Sequence, residues 1–183
     1  MSDILPPGTP APDFELPAGP DAKVSLRQFR GRPVVLVFYP ADFSPVCGDQ
    51  LALYNEVLPE LEETAAQVLG ISVDGVWCHR AYGESRKLRF PLLSDFEPKG
   101  AVAQKYGAYE PEWGVSSRSL FVIDGDGVIR WSYKSPADVN PGADGILAAL
   151  DRLVAGAPAA GAAATGAAAT GTTSPAGEGG AAR

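Results

Sequence analysis

The residues of this 183-residue sequence best suited to chemistry lie in one segment, residues 40–47, which reads Pro-Ala-Asp-Phe-Ser-Pro-Val-Cys. Cys47 is predicted to lie in the first turn of a helix that begins directly after a buried strand. The backbone N–H groups of a first turn have no helical acceptor, and together with the positive end of the helix dipole they favour an anion. The anion available here is a thiolate, which is the nucleophilic form of cysteine. Ser44 lies one turn earlier and can donate its hydroxyl.

The strand and the helix around Cys47 belong to a predicted βαβ unit. Residues 34–39, Val-Val-Leu-Val-Phe-Tyr, form an unbroken β-branched and aromatic run that is typical of a central, fully buried strand. Large apolar residues recur at steps of three and four over residues 46–66, which predicts an amphipathic helix. Residues 68–73 form a second buried strand, and a right-handed crossover onto a parallel sheet follows. Open α/β sheets place ligands at the carboxyl ends of such strands, where Cys47 lies.

The remaining elements complete an α/β domain that we assign to residues 1–155. Further helices are predicted at residues 76–88, 101–106 and 142–154, and strands at residues 119–123 and 128–133 flank the hairpin signal Asp-Gly-Asp-Gly. This order predicts a mixed sheet, parallel in one half and antiparallel at its edge, with helices on both faces, as in a thioredoxin-like fold. Residues 156–183 are rich in Ala, Gly and Thr and are predicted to form a disordered tail.

Charge and composition exclude several classes of function. The sequence has 15 Lys and Arg against 22 Asp and Glu, and its net charge of −7 is unsuited to neutralising phosphates or anionic lipid. Nucleic acid and membrane are therefore not expected partners. Two cysteines and one histidine are too few for a zinc finger or ribbon, so no metal site is expected. A transmembrane run and a secretory signal are both missing from the sequence, which makes a cytoplasmic location the expectation.

Several segments, in order, resemble the peroxiredoxin family. The spacing Pro-x-x-x-Ser-x-x-Cys at residues 40–47, preceded by Val-Phe-Tyr, is similar to the active-site signature of that family, in which Thr or Ser takes the middle position. The other matching segments are Ala-Pro-Asp-Phe at 11–14, Gly-Ile-Ser-Val-Asp at 70–74, Phe-Pro-Leu-Leu-Ser-Asp at 90–95 and Arg-Ser-Leu-Phe-Val-Ile-Asp at 118–124. The resemblance covers most of residues 8–133.

This resemblance implies a thiol peroxidase that reduces hydrogen peroxide and small organic hydroperoxides. It implies that Cys47 is the peroxidatic cysteine, with Pro40 shielding it from water. It also implies that Ser44 is the hydrogen-bond partner of the thiolate and that Arg118 is the cation beside it. Arginine suits this role because its planar donors can reach two adjacent oxygens. Cys47 would become a sulfenic acid that a thioredoxin-like or low-molecular-weight thiol reduces, without a bound cofactor, and a homodimer is implied.

Two residues depart from the family pattern. Gln50 stands where many members carry Glu, so an amide replaces the carboxylate that would orient the arginine. Pro45 is unusual beside the serine, although proline is tolerated in the first turn of a helix because its missing N–H is not needed there. We expect activity to survive both changes.

Cys78, predicted at the start of the next helix, has two interpretations. Some relatives place in this helix a second, resolving cysteine that recycles the sulfenic acid; in others an external thiol does so. The alternative is a small buried residue that fills space beside Trp77. A disulfide requires Cα atoms within about 7 Å, so the first turn around Cys47 would have to open for the two cysteines to bond. The sequence leaves both interpretations open.

Two other functions compete with the peroxidase. A thioredoxin-like disulfide oxidoreductase would need Cys-x-x-Cys at the helix start, whereas Gln50 occupies the position of the second cysteine. A non-catalytic thioredoxin-fold scaffold or chaperone would have no need of the signature residues together with Arg118. The single histidine, His79, is interpreted as a structural or dimer-contact residue.

Overall fold

A computed structural model describes residues 3–156, so the predicted tail lies, apart from Gly156, outside the described residues. The strands are β1 (Glu15–Gly19), β2 (Ala22–Ser25), β3 (Val34–Phe38), β4 (Gln67–Ser72), β5 (Leu92–Ser94), β6 (Tyr109–Glu110), β7 (Val115–Ser116), β8 (Ser119–Ile123) and β9 (Ile129–Lys134). The helices are α1 (Pro45–Glu56), α2 (Leu58–Glu63), α3 (Val76–Arg86), α4 (Ala101–Lys105) and α5 (Asp144–Val154). None of the helices in this part of the chain is long and apolar enough to cross a membrane.

The central sheet has five strands in the order β5-β4-β3-β8-β9. Strands β5, β4 and β3 run parallel to one another, whereas β8 is antiparallel to β3 and β9 is antiparallel to β8. The predicted mixed sheet, with a parallel half and an antiparallel edge, is therefore confirmed. Strand β3 lies at its centre, and all five of its residues are buried, as the unbroken apolar run predicted.

Two hydrophobic clusters cover the two faces of the sheet, because successive side chains of β3 point in opposite directions. Val35, Val37 and Tyr39 face a cluster that includes residues of α1, α2 and α5. Leu36 and Phe38 face a second cluster, which includes residues of α4. The prediction of helices on both faces is confirmed, and α1 is anchored directly against the strand that precedes it.

The prediction of a single helix over residues 46–66 is wrong, because the structure has two shorter helices there. Helix α1 ends at Glu56, and α2 begins at Leu58. Pro59 is the physical reason, since it has no N–H for a continuing helix and its ring would clash with the carbonyl of Asn55. The interruption lies three turns beyond Cys47 and leaves the first turn of α1 intact.

The β3–β8 register brings a distant part of the chain to the carboxyl end of β3. Phe38, the last residue of β3, pairs with Ser119, the first residue of β8. Arg118 therefore lies just beyond the paired region, level with the residue that follows β3. This register places position 118 beside the loop that leads into α1.

Candidate functional site

The start of α1 holds Ser44 and Cys47 together. Ser44 is the N-cap residue, with φ −67° and ψ 138°, but its hydroxyl makes no capping hydrogen bond to the backbone. It donates instead to the Cys47 Sγ atom at 3.3 Å. Pro45 occupies the first helical position, as its missing N–H allows. Cys47 is the third helical residue and is fully buried, in the first turn where the sequence predicted it.

The loop between β3 and α1 contains a strained residue. Phe43 has a φ of 59°, in the left-handed region that bulky residues rarely adopt. Its ring packs edge-on against Tyr82, with the ring centroids 5.0 Å apart. Strained backbone of this kind gathers at functional sites. In this protein the strained residue, Phe43, lies immediately before Ser44, whose hydroxyl contacts Cys47.

Arg118, the residue immediately before β8, approaches Cys47 from beside the end of β3. Its Nη1 and Nη2 atoms lie 3.6 and 3.5 Å from the Cys47 Sγ atom. Nη1 also donates to Gln50 Oε1 at 2.5 Å, while Nη2 and Nε donate to the Ala137 carbonyl oxygen at 2.7 and 3.2 Å. The planar guanidinium group therefore contacts the sulfur and two neutral acceptors at the same time.

The charge of Arg118 is buried without a carboxylate beside it. Arg118 is 2% exposed. Across residues 3–156, the ion pairs join other side chains, and none involves Arg118. A buried charge is costly unless it is paired. Among the groups in contact with the guanidinium, only the Cys47 thiol can become an anion.

Pro40 lies two residues after the end of β3 and is half-buried. The hydrogen bonds of the described residues join Ser44, Cys47 and Arg118 to one another, but they do not include Pro40. The structure thus brings three of the four predicted residues into contact and places the fourth at the beginning of the same loop.

Cys78 is a free, half-buried thiol with different neighbours from Cys47. It is the third residue of α3, and its Sγ atom groups with carboxylate oxygens of Asp42 and Asp74 within 4.8 Å of one another. The pKa of the Cys78 thiol is raised to about 11, mainly by burial and in addition by a hydrogen bond to Asp42 and by the charges of Asp42 and Asp74. This environment disfavours the thiolate.

These three residues have the ligand types of a metal site, but hydrogen bonds already explain both carboxylates. Asp42 accepts from the Tyr39 hydroxyl at 2.8 Å and contacts His79 Nδ1 at 2.9 Å. Asp74 Oδ2 accepts from the Ser72 hydroxyl and from the Asp42 backbone N–H. We therefore assign this cluster a structural role, in which it ties the loop after β3 to the loop after β4.

Sequence reasoning missed the buried polar network formed by Asp42, Tyr39 and His79. The second ring nitrogen of His79, Nε2, lies 3.2 Å from the Leu93 carbonyl oxygen. Both nitrogens of the ring are thus engaged and the side chain is buried, which agrees with the structural interpretation of His79. Its position directly after Cys78 gave no indication that Asp42, 37 residues away, would be its partner.

The comparisons with known proteins agree with one another. Residues 7–132 match the model of the AhpC/TSA family. Alkyl hydroperoxide reductase E of Mycobacterium tuberculosis is 39% identical over 135 residues, which cover 73% of this chain and 88% of the relative. The crystal structure of peroxidoxin BcpB from Mycobacterium tuberculosis has a TM-score of 0.72 and 32% identity and covers 81% of this chain and 98% of that one. The AhpC structure from Enterococcus faecalis has a TM-score of 0.74 and 26% identity, and it covers 82% of this chain and 94% of that one.

Proposed function

This chain belongs to the AhpC/TSA family and is a peroxiredoxin, a thiol-dependent peroxidase, and from that premise we propose that Cys47 is its peroxidatic cysteine. The observation that carries the proposal is the burial of Arg118, whose contacts include one ionisable group, the Cys47 thiol. A thiolate at Cys47 would form an ion pair with the Arg118 guanidinium, whose charge has no carboxylate beside it among the described residues. The first-turn N–H groups of α1 support the same anion.

The proposed reaction requires a thiolate and donors for a developing negative charge. The Cys47 sulfur attacks one oxygen of the peroxide in line, so that an S–O bond forms while the O–O bond breaks. Cys47 becomes a sulfenic acid, and the departing oxygen leaves as an alkoxide or hydroxide that takes up a proton to give an alcohol or water. Sulfur is oxidised and the peroxide is reduced, and the peroxide supplies the oxygen.

Arg118 and Ser44 have separate roles in this proposal. The Nη1 and Nη2 atoms lie close enough to the sulfur to donate to the peroxide oxygens at the sulfur, where the negative charge develops. The Ser44 hydroxyl, which donates to the thiolate, can turn to the incoming oxygen as the S–O bond forms. Pro40 is assigned the shielding role that the family resemblance implies.

We propose that a separate thiol recycles the sulfenic acid, through a thioredoxin-like protein or a low-molecular-weight compound. The alternative, resolution by Cys78 within the chain, requires that thiol to act as a nucleophile, and the raised pKa of Cys78 counts against it. Mass spectrometry after one equivalent of peroxide separates the two. Sulfenic acid on Cys47 with reduced Cys78 supports the external thiol, whereas a linked Cys47–Cys78 peptide with a loss of two hydrogens would contradict it.

A cytoplasmic location and a homodimer complete the proposal. A peroxidatic cysteine reacts as a free thiol, the state that a reducing cytosol maintains. The homodimer rests on the family resemblance. Sedimentation velocity of the full chain in reducing buffer tests it, and a single monomeric species across the accessible concentrations would contradict it.

The assignment of Cys47 is tested by stopped-flow oxidation of the reduced protein with one equivalent of peroxide. We expect one thiol to be lost far faster than free cysteine reacts, and we expect the fast phase to disappear in Cys47→Ser. The matched control, Cys78→Ser, should keep that phase. Fast peroxide consumption that survives Cys47→Ser would show that the site is wrongly assigned.

A further inference from the structure

The hydrogen bonds that Arg118 makes apart from its contacts with the sulfur can be traced to one loop. Nη2 and Nε donate directly to the Ala137 carbonyl oxygen. Nη1 donates to Gln50 Oε1, and Gln50 Nε2 donates to the Tyr54 hydroxyl at 3.2 Å. The Tyr54 hydroxyl donates in turn to the Gly142 carbonyl oxygen at 3.1 Å. Both routes end on residues 135–143, which we call the β9–α5 loop.

The direction of every bond in the longer route is fixed. A guanidinium group can only donate, so the oxygen of the Gln50 amide must face Arg118 and its nitrogen must face Tyr54. The Tyr54 hydroxyl therefore accepts from Gln50 and has one hydrogen left, for the Gly142 carbonyl. Burial raises the pKa of Tyr54 well above its usual value, which keeps that hydrogen in place. Removing the hydroxyl would leave a buried amide N–H without an acceptor.

The loop at the end of both routes is exposed but has bonds of its own. Residues 136–140 are all exposed. Within the loop the Ser135 hydroxyl donates to the Val139 carbonyl at 2.9 Å, and the Gly142 N–H donates to Asn140 Oδ1 at 3.1 Å. The Ser135 N–H also donates to the Arg118 carbonyl at 2.9 Å. The loop is thus attached to the backbone as well as to the side chain of Arg118.

We propose that Tyr54 is a positioning residue which, through Gln50 and with the β9–α5 loop, holds the Arg118 guanidinium against Cys47. The inference rests on the proposed function of Arg118 and Cys47. A carboxylate at position 50 would hold Arg118 by its charge, with no amide N–H to satisfy. An amide lacks that charge and depends on the Tyr54 hydroxyl to keep its oxygen directed at Arg118.

The test is Tyr54→Phe, which removes a single oxygen atom. We expect the limiting rate of Cys47 oxidation by hydrogen peroxide, measured by stopped flow on the full chain above the pH at which the thiolate forms, to fall about tenfold. The matched control is Tyr106→Phe, whose buried hydroxyl donates to the Pro12 carbonyl at 2.7 Å in the cluster on the opposite face of the sheet. The rate of Tyr106→Phe should stay within about twofold of the parent rate, even if its melting temperature falls as far as that of Tyr54→Phe.

A second background, Gln50→Glu, distinguishes the positioning of Arg118 by Tyr54 from a general destabilisation of the fold by Tyr54→Phe. In the Gln50→Glu background, Tyr54→Phe should lower the limiting rate by less than about twofold, because a carboxylate keeps Arg118 in place without Tyr54. An equal loss in both backgrounds, or an unchanged rate in the Gln50 background, would overturn the role of Tyr54.

A second variant tests the loop at an exposed position that should not affect folding. Asn140→Ala removes the acceptor of the Gly142 N–H, and we expect the limiting rate to fall about two- to threefold. An unchanged rate would overturn the role of the loop. The parent protein serves as the reference throughout: if its Cys47 gains no oxygen with one equivalent of peroxide, the proposed function itself fails, whatever the variants show.

Discussion

The neutral surroundings of Arg118 predict that Gln50→Glu makes the Cys47 thiolate harder to form. Gln50 Oε1 is 2.5 Å from Arg118 Nη1, which is 3.6 Å from the Cys47 Sγ atom. A carboxylate oxygen in the place of Oε1 would therefore lie no more than about 6 Å from the sulfur. At an effective dielectric constant of about 20, two negative charges at that distance repel by ~3 kcal/mol.

That repulsion corresponds to about two pH units, and we expect the pH midpoint of thiolate formation to rise by about one to two units. The midpoint can be followed by the ultraviolet absorbance of the thiolate or by the rate of alkylation with iodoacetamide, with Cys78→Ser as the common background. Gln50→Met is the control, since it loses both hydrogen bonds of the Gln50 amide and adds no charge, and it should move the midpoint less than Gln50→Glu.

A midpoint in Gln50→Glu that stays within about half a unit of the parent, or that falls, would refute this reasoning. It would mean that the guanidinium group can compensate two anions at once. An equal rise in Gln50→Met would show that the loss of the amide group, rather than the added negative charge, accounts for the rise.

Three further predictions concern single side chains. Arg118→Lys keeps the charge but loses the planar donors, and should cost ~2–4 kcal/mol of transition-state stabilisation in the peroxide rate; an unchanged rate would remove the role of Arg118. The Tyr82 hydroxyl is buried without a hydrogen-bond partner among residues 3–156, so calorimetry should show that Tyr82→Phe is at least as stable as the parent, and a clear loss would reveal a partner. Because the pKa of Cys78 is raised to about 11, above the unfolded value near 9, the stability it contributes is complete below pH 9 and is lost as the pH rises to 11; urea unfolding between pH 8 and pH 11 should show the stability of the parent falling relative to that of Cys78→Ser, and a constant difference would contradict the shift.

The sequence predicted the centre of the fold and the position of Cys47 at a helix start because both depend on local patterns. An unbroken apolar run identifies β3, and the position of Cys47 three residues into α1 follows from the strand that precedes it. The hairpin of β1 and β2 was not predicted, since Pro17 and Gly19 interrupt the alternation that marks a strand. Strands β6 and β7 have two residues each, too few to form a pattern.

The contacts of Arg118 show what a sequence pattern does not contain. Its proximity to Cys47, 71 positions away, was available only from the family resemblance, and the physical cause is the pairing of Phe38 with Ser119. Tyr54 is one of the large apolar residues whose spacing predicted a helix over residues 46–66, and its ring lies in the buried cluster. The partner of its hydroxyl is 88 residues away, and no periodicity along α1 could identify it.

A comparison of the two cysteines distinguishes the effect of a helix start on thiolate formation from the effect of neighbouring charges. Each is the third residue of a helix that follows one of two adjacent parallel strands, so the helix dipole favours a thiolate at both positions. Cys47 contacts a guanidinium group and a hydroxyl, whereas Cys78 lies beside two carboxylates. The pKa of Cys78 is nonetheless raised, so burial and local charge outweigh the dipole there. In this fold, then, the position of a cysteine at the start of a helix does not by itself make it reactive.

Removing the two negative charges beside Cys78 should make its thiol more reactive. Asp42→Asn together with Asp74→Asn should make the Cys78 thiol alkylate at lower pH, because the carboxylates that disfavour the thiolate are then neutral. An unchanged alkylation profile would show that burial alone protects it.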